Sequence, residues 1–167
     1  MAAKFGWGHI NINVSDLETA VAFYRKLGFE PFLPAIPYLN LDSDNTKSMD
    51  DETAEALGLP AGASGRACIM QLDDGFPKID LTEFEDTDQE SPPQNKDLGL
   101  VRLCLVSGDL ARDYAALSEA GVRFLSPPRT CHQRMAEVAT CVDPDGTLIE
   151  LLEVHLENWP PIPGFNE

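Results

Sequence analysis

No apolar run in this chain approaches the roughly 20 residues that a helix needs to cross a bilayer. The first residues, Met1-Ala2-Ala3-Lys4-Phe5-Gly6-Trp7, carry no apolar signal core, so a cytoplasmic location is expected. Basic residues are scarce: 12 Lys and Arg against 28 Asp and Glu give a formal net charge of −16. A polyanion would be repelled, which argues against nucleic acid and anionic membrane as partners. The four cysteines show no CxxC spacing. Cys68, Cys104 and Cys141 sit in apolar, strand-like runs and are expected as small buried hydrophobes. Cys131 adjoins His132, but neighbours in an extended chain point to opposite faces. Low-complexity segments are missing. The acids Asp42, Asp44, Asp50, Asp51 and Glu52 lack the central Gly and final Glu of a calcium loop.

What the chain does have is a motif stated twice. From Trp7 to Val14 apolar and polar residues alternate, setting Ile10, Ile12 and Val14 on one strand face and His9, Asn11 and Asn13 on the other. Asp16 opens an amphipathic helix (Leu17, Ala20, Val21, Tyr24, Leu27) that Gly28 ends. Leu103 to Ser107, Asp109, the helical Leu110, Tyr114, Leu117 and Ala120, and Gly121 repeat that order. Asp109 follows Asp16 by 93 positions, and Gly121 follows Gly28 by the same 93. At the far end Ile149-Glu150-Leu151 follows Ile79-Asp80-Leu81 by 70, so the first copy is longer by 23 residues.

The spacing predicts an α+β fold of two tandem βαβββ modules, forming a curved mixed sheet around a cleft. The first module is expected over residues 1–86, with an inserted acidic loop at about 38–60 that reads as a lid or specificity segment. A linker over 87–98, a second module over 99–155 and an irregular tail over 156–167 (with Trp159 and Pro163) follow. Hairpins are expected around Asp73-Asp74-Gly75 and Asp143-Pro144-Asp145-Gly146. His132 and His155 fall outside the repeated strands, and Glu83 has the opposite parity to Asp80.

The repeat selects four positions. His9 corresponds to Arg102 by the 93 offset, and Asp80 to Glu150 by the 70 offset. Equivalent positions of such a pair are expected to converge in the cleft, and a charge set between Ile149 and Leu151 demands a partner. Asn11 and Asn13 share His9's face and are candidate substrate-positioning groups. Tyr38, Phe84 and Trp159 are candidate walls.

At these residues the chain resembles the vicinal oxygen chelate superfamily: glyoxalases, methylmalonyl-CoA epimerases, extradiol dioxygenases, and fosfomycin and bleomycin resistance proteins. The resemblance rests on Gly8-His9 with Asp16, on Phe23-Tyr24-Arg25-x-Leu27-Gly28-Phe29, and on Asp143-Pro144-Asp145-Gly146 with Glu150-Leu151. It implies a homodimer or a within-chain pairing of modules, and in metal-using members a divalent ion held at the first and last strands. Carried over by position, His9, Asp80 and Glu150 would be ligands; Arg102 departs from the pattern, since a guanidinium has no lone pair to donate. Arg102 would then either anchor substrate or pair with Glu150 or Asp80 in the metal's place. The expected function is a small-molecule isomerase, epimerase or lyase using an enolate-like intermediate, with Asp80 and Glu150 moving protons. The alternative is a metal-free protein whose cleft acts by acid–base chemistry or merely binds and sequesters a ligand, as proteins of the bleomycin-resistance type do.

Overall fold

The alternation of Ile10, Ile12 and Val14 has a direct outcome in the computed structural model, which describes residues 4–87 and 91–161. Ile12 and Val14 are buried and His9, Asn11 and Asn13 are exposed. The elements of the first unit are β1 (His9–Asn13), α1 (Leu17–Lys26), β2 (Phe29–Leu33), β3 (Ala35–Ile36), β4 (Leu41–Asp42), β5 (Lys47–Ser48), α2 (Asp51–Ala56), β6 (Ser64–Leu72) and β7 (Lys78–Phe84). The second unit has β8 (Arg102–Val106), α3 (Leu110–Glu119), β9 (Arg123–Phe124), β10 (Arg129–Thr130), β11 (Ala136–Val142) and β12 (Leu148–Val154). The division falls between Glu90 and Ser91. Residues 88–90 of the expected linker and Pro163 of the expected tail lie outside the described residues.

The two sheets carry one design. The first runs β1-β7-β6-β2, and the second has β8-β12-β11 with β9 on β11. The parallel pairs keep the same register. Asn11 stands opposite Asp80, and Cys104, 93 positions after Asn11, stands opposite Glu150. Helix starts match atom for atom. Asp16 accepts from the Thr19 amide and Asp109 from the Arg112 amide, as short polar caps do. The Leu17 amide donates to Glu83 Oε2 at 2.6 Å, and the Leu110 amide to Glu153 Oε2 at 2.7 Å. Gly28 and Gly121 end the helices at φ +91° and +81°, a region open mainly to glycine.

In the first unit α1 packs on β2 and β7, and the core on that side holds Val14, Tyr24, Phe29, Met70, Ile79 and Leu81. The opposite face of β6 has a second cover. Ile36, Leu39, Leu41, Met49 and Ala54 form a buried cluster with Ala67, and Ile69 and Phe84 pack against it. The 23 extra residues are thus built partly as core. Asp42 and Asp44 sit on its outside with Lys47 paired to Asp42.

One cysteine departs from expectation. Cys68 and Cys141 are buried, but Cys104 is exposed. It shares a β8 face with Arg102 and Val106, and Val106 is 78% exposed. The apolar run around Cys104 marks only the other face, where Leu103 and Leu105 are partly covered. Trp159 packs within its own unit, its indole Nε1 donating to the Met135 carbonyl at 2.9 Å.

Candidate functional site

Parallel pairing of β1 with β7 sets His9, Asn11 and Asn13 beside Lys78, Asp80 and Thr82 on one sheet face. His9 Nε2 lies 3.4 Å from Asp80 Oδ2, a diagonal contact across the two strands. The His9 side chain is 42% exposed and that of Asp80 is 1% exposed. Neither oxygen of Asp80 has a hydrogen-bond partner. Burial pushes this carboxyl above the ordinary range, and the facing His9 opposes the shift. Asn11 supplies no donor to Asp80: its amide nitrogen donates to Asn13 Oδ1 at 2.7 Å, and its oxygen accepts from Thr82 Oγ1 at 2.9 Å.

Tyr38, at the head of the inserted segment, brings its ring centroid to 6.4 Å from that of His9. Burial raises its phenol, and the negative charge of Asp80 adds to that. Cys68 is held up at about 11, first by burial and then by Asp80. It is a buried thiol, not a nucleophile. Phe84 and Asn13, with Leu59 to Ser64, line a cavity of about 380 Å³.

The second unit repeats the diagonal with different chemistry. Arg102 Nε donates to Glu150 Oε2, and Arg102 Nη1 to Asn95 Oδ1 at 3.2 Å. His9–Asp80 and Arg102–Glu150 are therefore the same pair of positions in the two copies. Of the ligand set His9, Asp80 and Glu150, the structure joins His9 to Asp80 and gives Glu150 to Arg102. These residues do not fit a divalent ion as they stand. The Glu150 carboxylate is neutralised by a cation that cannot ligate, and His9 with Asp80 offers two donors where three protein ligands are usual. Asp16, Glu18 and Glu83 also lie close together, but Arg66 bridges Glu18 and Glu83 while Asp16 and Glu83 cap α1.

Sequence reasoning passes over Lys78, Gln71, Phe32 and Phe76. Lys78 was legible by parity, two residues before Asp80, whereas Phe32 was not. The β2–β6 register shifts between Pro31 and Leu33, and the extra residue of that bulge cannot be placed by counting.

A duplicated βαβββ unit with acid-bearing pairs at equivalent strand positions defines a class, and the comparisons agree with it. A family profile described as the Glyoxalase/Bleomycin resistance protein/Dioxygenase superfamily matches residues 6–151, and the chain belongs to that superfamily. No curated protein matches. Among solved structures, a glyoxalase family protein from Bacillus cereus has a TM-score of 0.70 at 16% identity, over 92% of this chain and 96% of that one. A superfamily member from Sphaerobacter thermophilus has 0.60 at 23% identity, over 89% and 98%. A glyoxalase I variant from Zea mays has 0.58 at 16% identity, over 86% of this chain and 43% of that one. At these identities the structures attest the fold alone. No helix among the described residues is long and apolar enough to cross a membrane.

Proposed function

We propose that this chain performs metal-independent acid–base chemistry on a small oxygenated molecule, as an isomerase or epimerase does through an enolate-like intermediate. One observation carries the reading: Asp80 is buried with both carboxylate oxygens lacking a hydrogen bond, and the imidazole of the half-exposed His9 lies 3.4 Å from one of them. An unserved buried carboxylate costs several kcal/mol, and such a cost is characteristic of functional positions. With Nε2 turned to Asp80, His9 presents Nδ1 outward as the base. It would take a proton from carbon next to a carbonyl and return it to that carbon or its neighbour. Asp80, 3.4 Å from Nε2, would stabilise the imidazolium while the proton is held. Tyr38, whose phenol keeps its proton, would donate to the enolate oxygen.

Arg102 and Glu150 then serve as a salt bridge and not as anchor and ligand. We also propose a cytoplasmic homodimer that binds a small molecule, with nucleic acid and anionic membranes disfavoured by the charge of −16; sedimentation of the purified chain tests the oligomeric state. For the chemistry, chelator-treated protein is incubated in D₂O with 2-oxo acids and hydroxyketones, and deuterium uptake at carbon is followed by NMR. Exchange should be lost with His9→Gln and fall about 100-fold or more with Asp80→Asn. Exchange that appears only after a divalent ion is added would overturn the reading. A ligand bound tightly without exchange would favour sequestration.

A further inference from the structure

In this chain acids outnumber bases 28 to 12, yet Lys78 pairs with none of those among the described residues. Among the described residues no carboxylate lies within ion-pair distance of it. Its ammonium instead lies 4.3 Å from the ring centroid of Phe32 and 4.7 Å from that of Phe76. It spends one N–H on Gln71 Oε1 at 2.9 Å. An ammonium has three donors, so the two ring faces steady the charge without using them all. The rings are themselves open to solvent, Phe32 at 45% and Phe76 at 67%. Phe32 is the bulged residue of β2, and bulges commonly re-aim a side chain beside a functional site. Lys78 stands opposite His9 in the parallel register, about 5 Å away at the backbone, and two residues before Asp80 on the same strand face.

We infer that Lys78, held between Phe32 and Phe76, binds a carboxylate or phosphate on the ligand and so selects anionic substrates for the His9–Asp80 pair. The inference rests on the proposed function for its location but is tested by binding alone. Pyruvate, its neutral amide pyruvamide, and inorganic phosphate are titrated into the full-length protein, with ligand-observed NMR as the readout. Wild type should bind pyruvate at least about tenfold more tightly than pyruvamide, a difference of about 1.4 kcal/mol. Phosphate should compete with pyruvate if charge alone is read, and should not if the planar carboxylate is selected. Lys78→Met should erase the preference and leave pyruvamide binding and melting temperature unchanged, while Lys78→Arg should keep part of it. Asp80→Asn should retain the preference even where exchange chemistry is lost, which separates failure of this assignment from failure of the acid–base reading. Equal binding of pyruvate and pyruvamide by wild type, a preference surviving in Lys78→Met, or no binding of any of the three would overturn it.

Discussion

Two side chains at equivalent positions, His9 and Arg102, divide the copies chemically. Arg102 occupies Glu150, so Arg102→Ala should free that carboxylate, and Arg102→His should add an imidazole next to it. Calorimetric titration with a divalent ion should show weak binding by wild type and tighter binding by Arg102→His than by Arg102→Ala. Tight wild-type binding that is lost in Glu150→Gln would return Arg102 to the role of substrate anchor. Asp80 makes a second expectation possible. Burial raises its folded-state pKa, so the native chain holds more protons there than the unfolded chain once pH exceeds the unfolded value near 4. Its contribution to stability is therefore full at acid pH and is lost as pH rises through the folded pKa. The melting temperature of Asp80→Asn, relative to wild type, should become more favourable from about pH 4 to about pH 7. A flat difference would mean that His9 compensates the buried charge completely.

At the level of elements, the helix starts were the most legible feature, because capping acids and terminal glycines act locally. The 93 offset also matched β8 to β1, and the 70 offset β12 to β7. Glu83 and Glu153 obey the 70 offset and the amides they serve, Leu17 and Leu110, the 93 offset; the parity of Glu83 put it on the helix side, although its bond to the Leu17 amide could not be read from spacing. Removing either acid leaves an amide of the first helical turn unserved. Glu153→Ala should cost about 1–2 kcal/mol in urea unfolding, and Glu83→Ala more, since Arg66 also loses a partner. The inserted segment was the least legible. Its acids are conspicuous in sequence, whereas Leu41, Met49 and Ala54, which bury themselves, are scattered among them. Non-local packing of that kind has no periodicity to reveal it. Met49→Ala should cost about 2–4 kcal/mol, and excision of residues 40–62 should depress the melting temperature sharply. An unchanged melting temperature would return the segment to a simple lid.

For the molecule as a whole, the charge of −16 sets a background of self-repulsion that is independent of any single pair. Added salt should raise the melting temperature at neutral pH as that repulsion is screened, with most of the gain below about 0.15 M, where the Debye length is about 8 Å. A fall with salt would show that favourable pairs such as Arg66 with Glu18 and Glu83 outweigh the net field. The duplicated architecture was readable from sequence because both copies repeat the same anchor residues. The chemistry of the site was less so, because the pairs differ between copies while their positions do not.

The bulge in β2 has a genetic consequence. Pro31 faces Met70 and Leu33 faces Ile69, so Phe32 is the one residue without a place in the ladder. Loss of its single codon would leave an uninterrupted strand, every other pairing intact, and one aromatic wall missing from the ammonium of Lys78. Lineages could thus gain or discard that wall by a three-nucleotide indel, and ligand preference could drift without any rearrangement of the sheet.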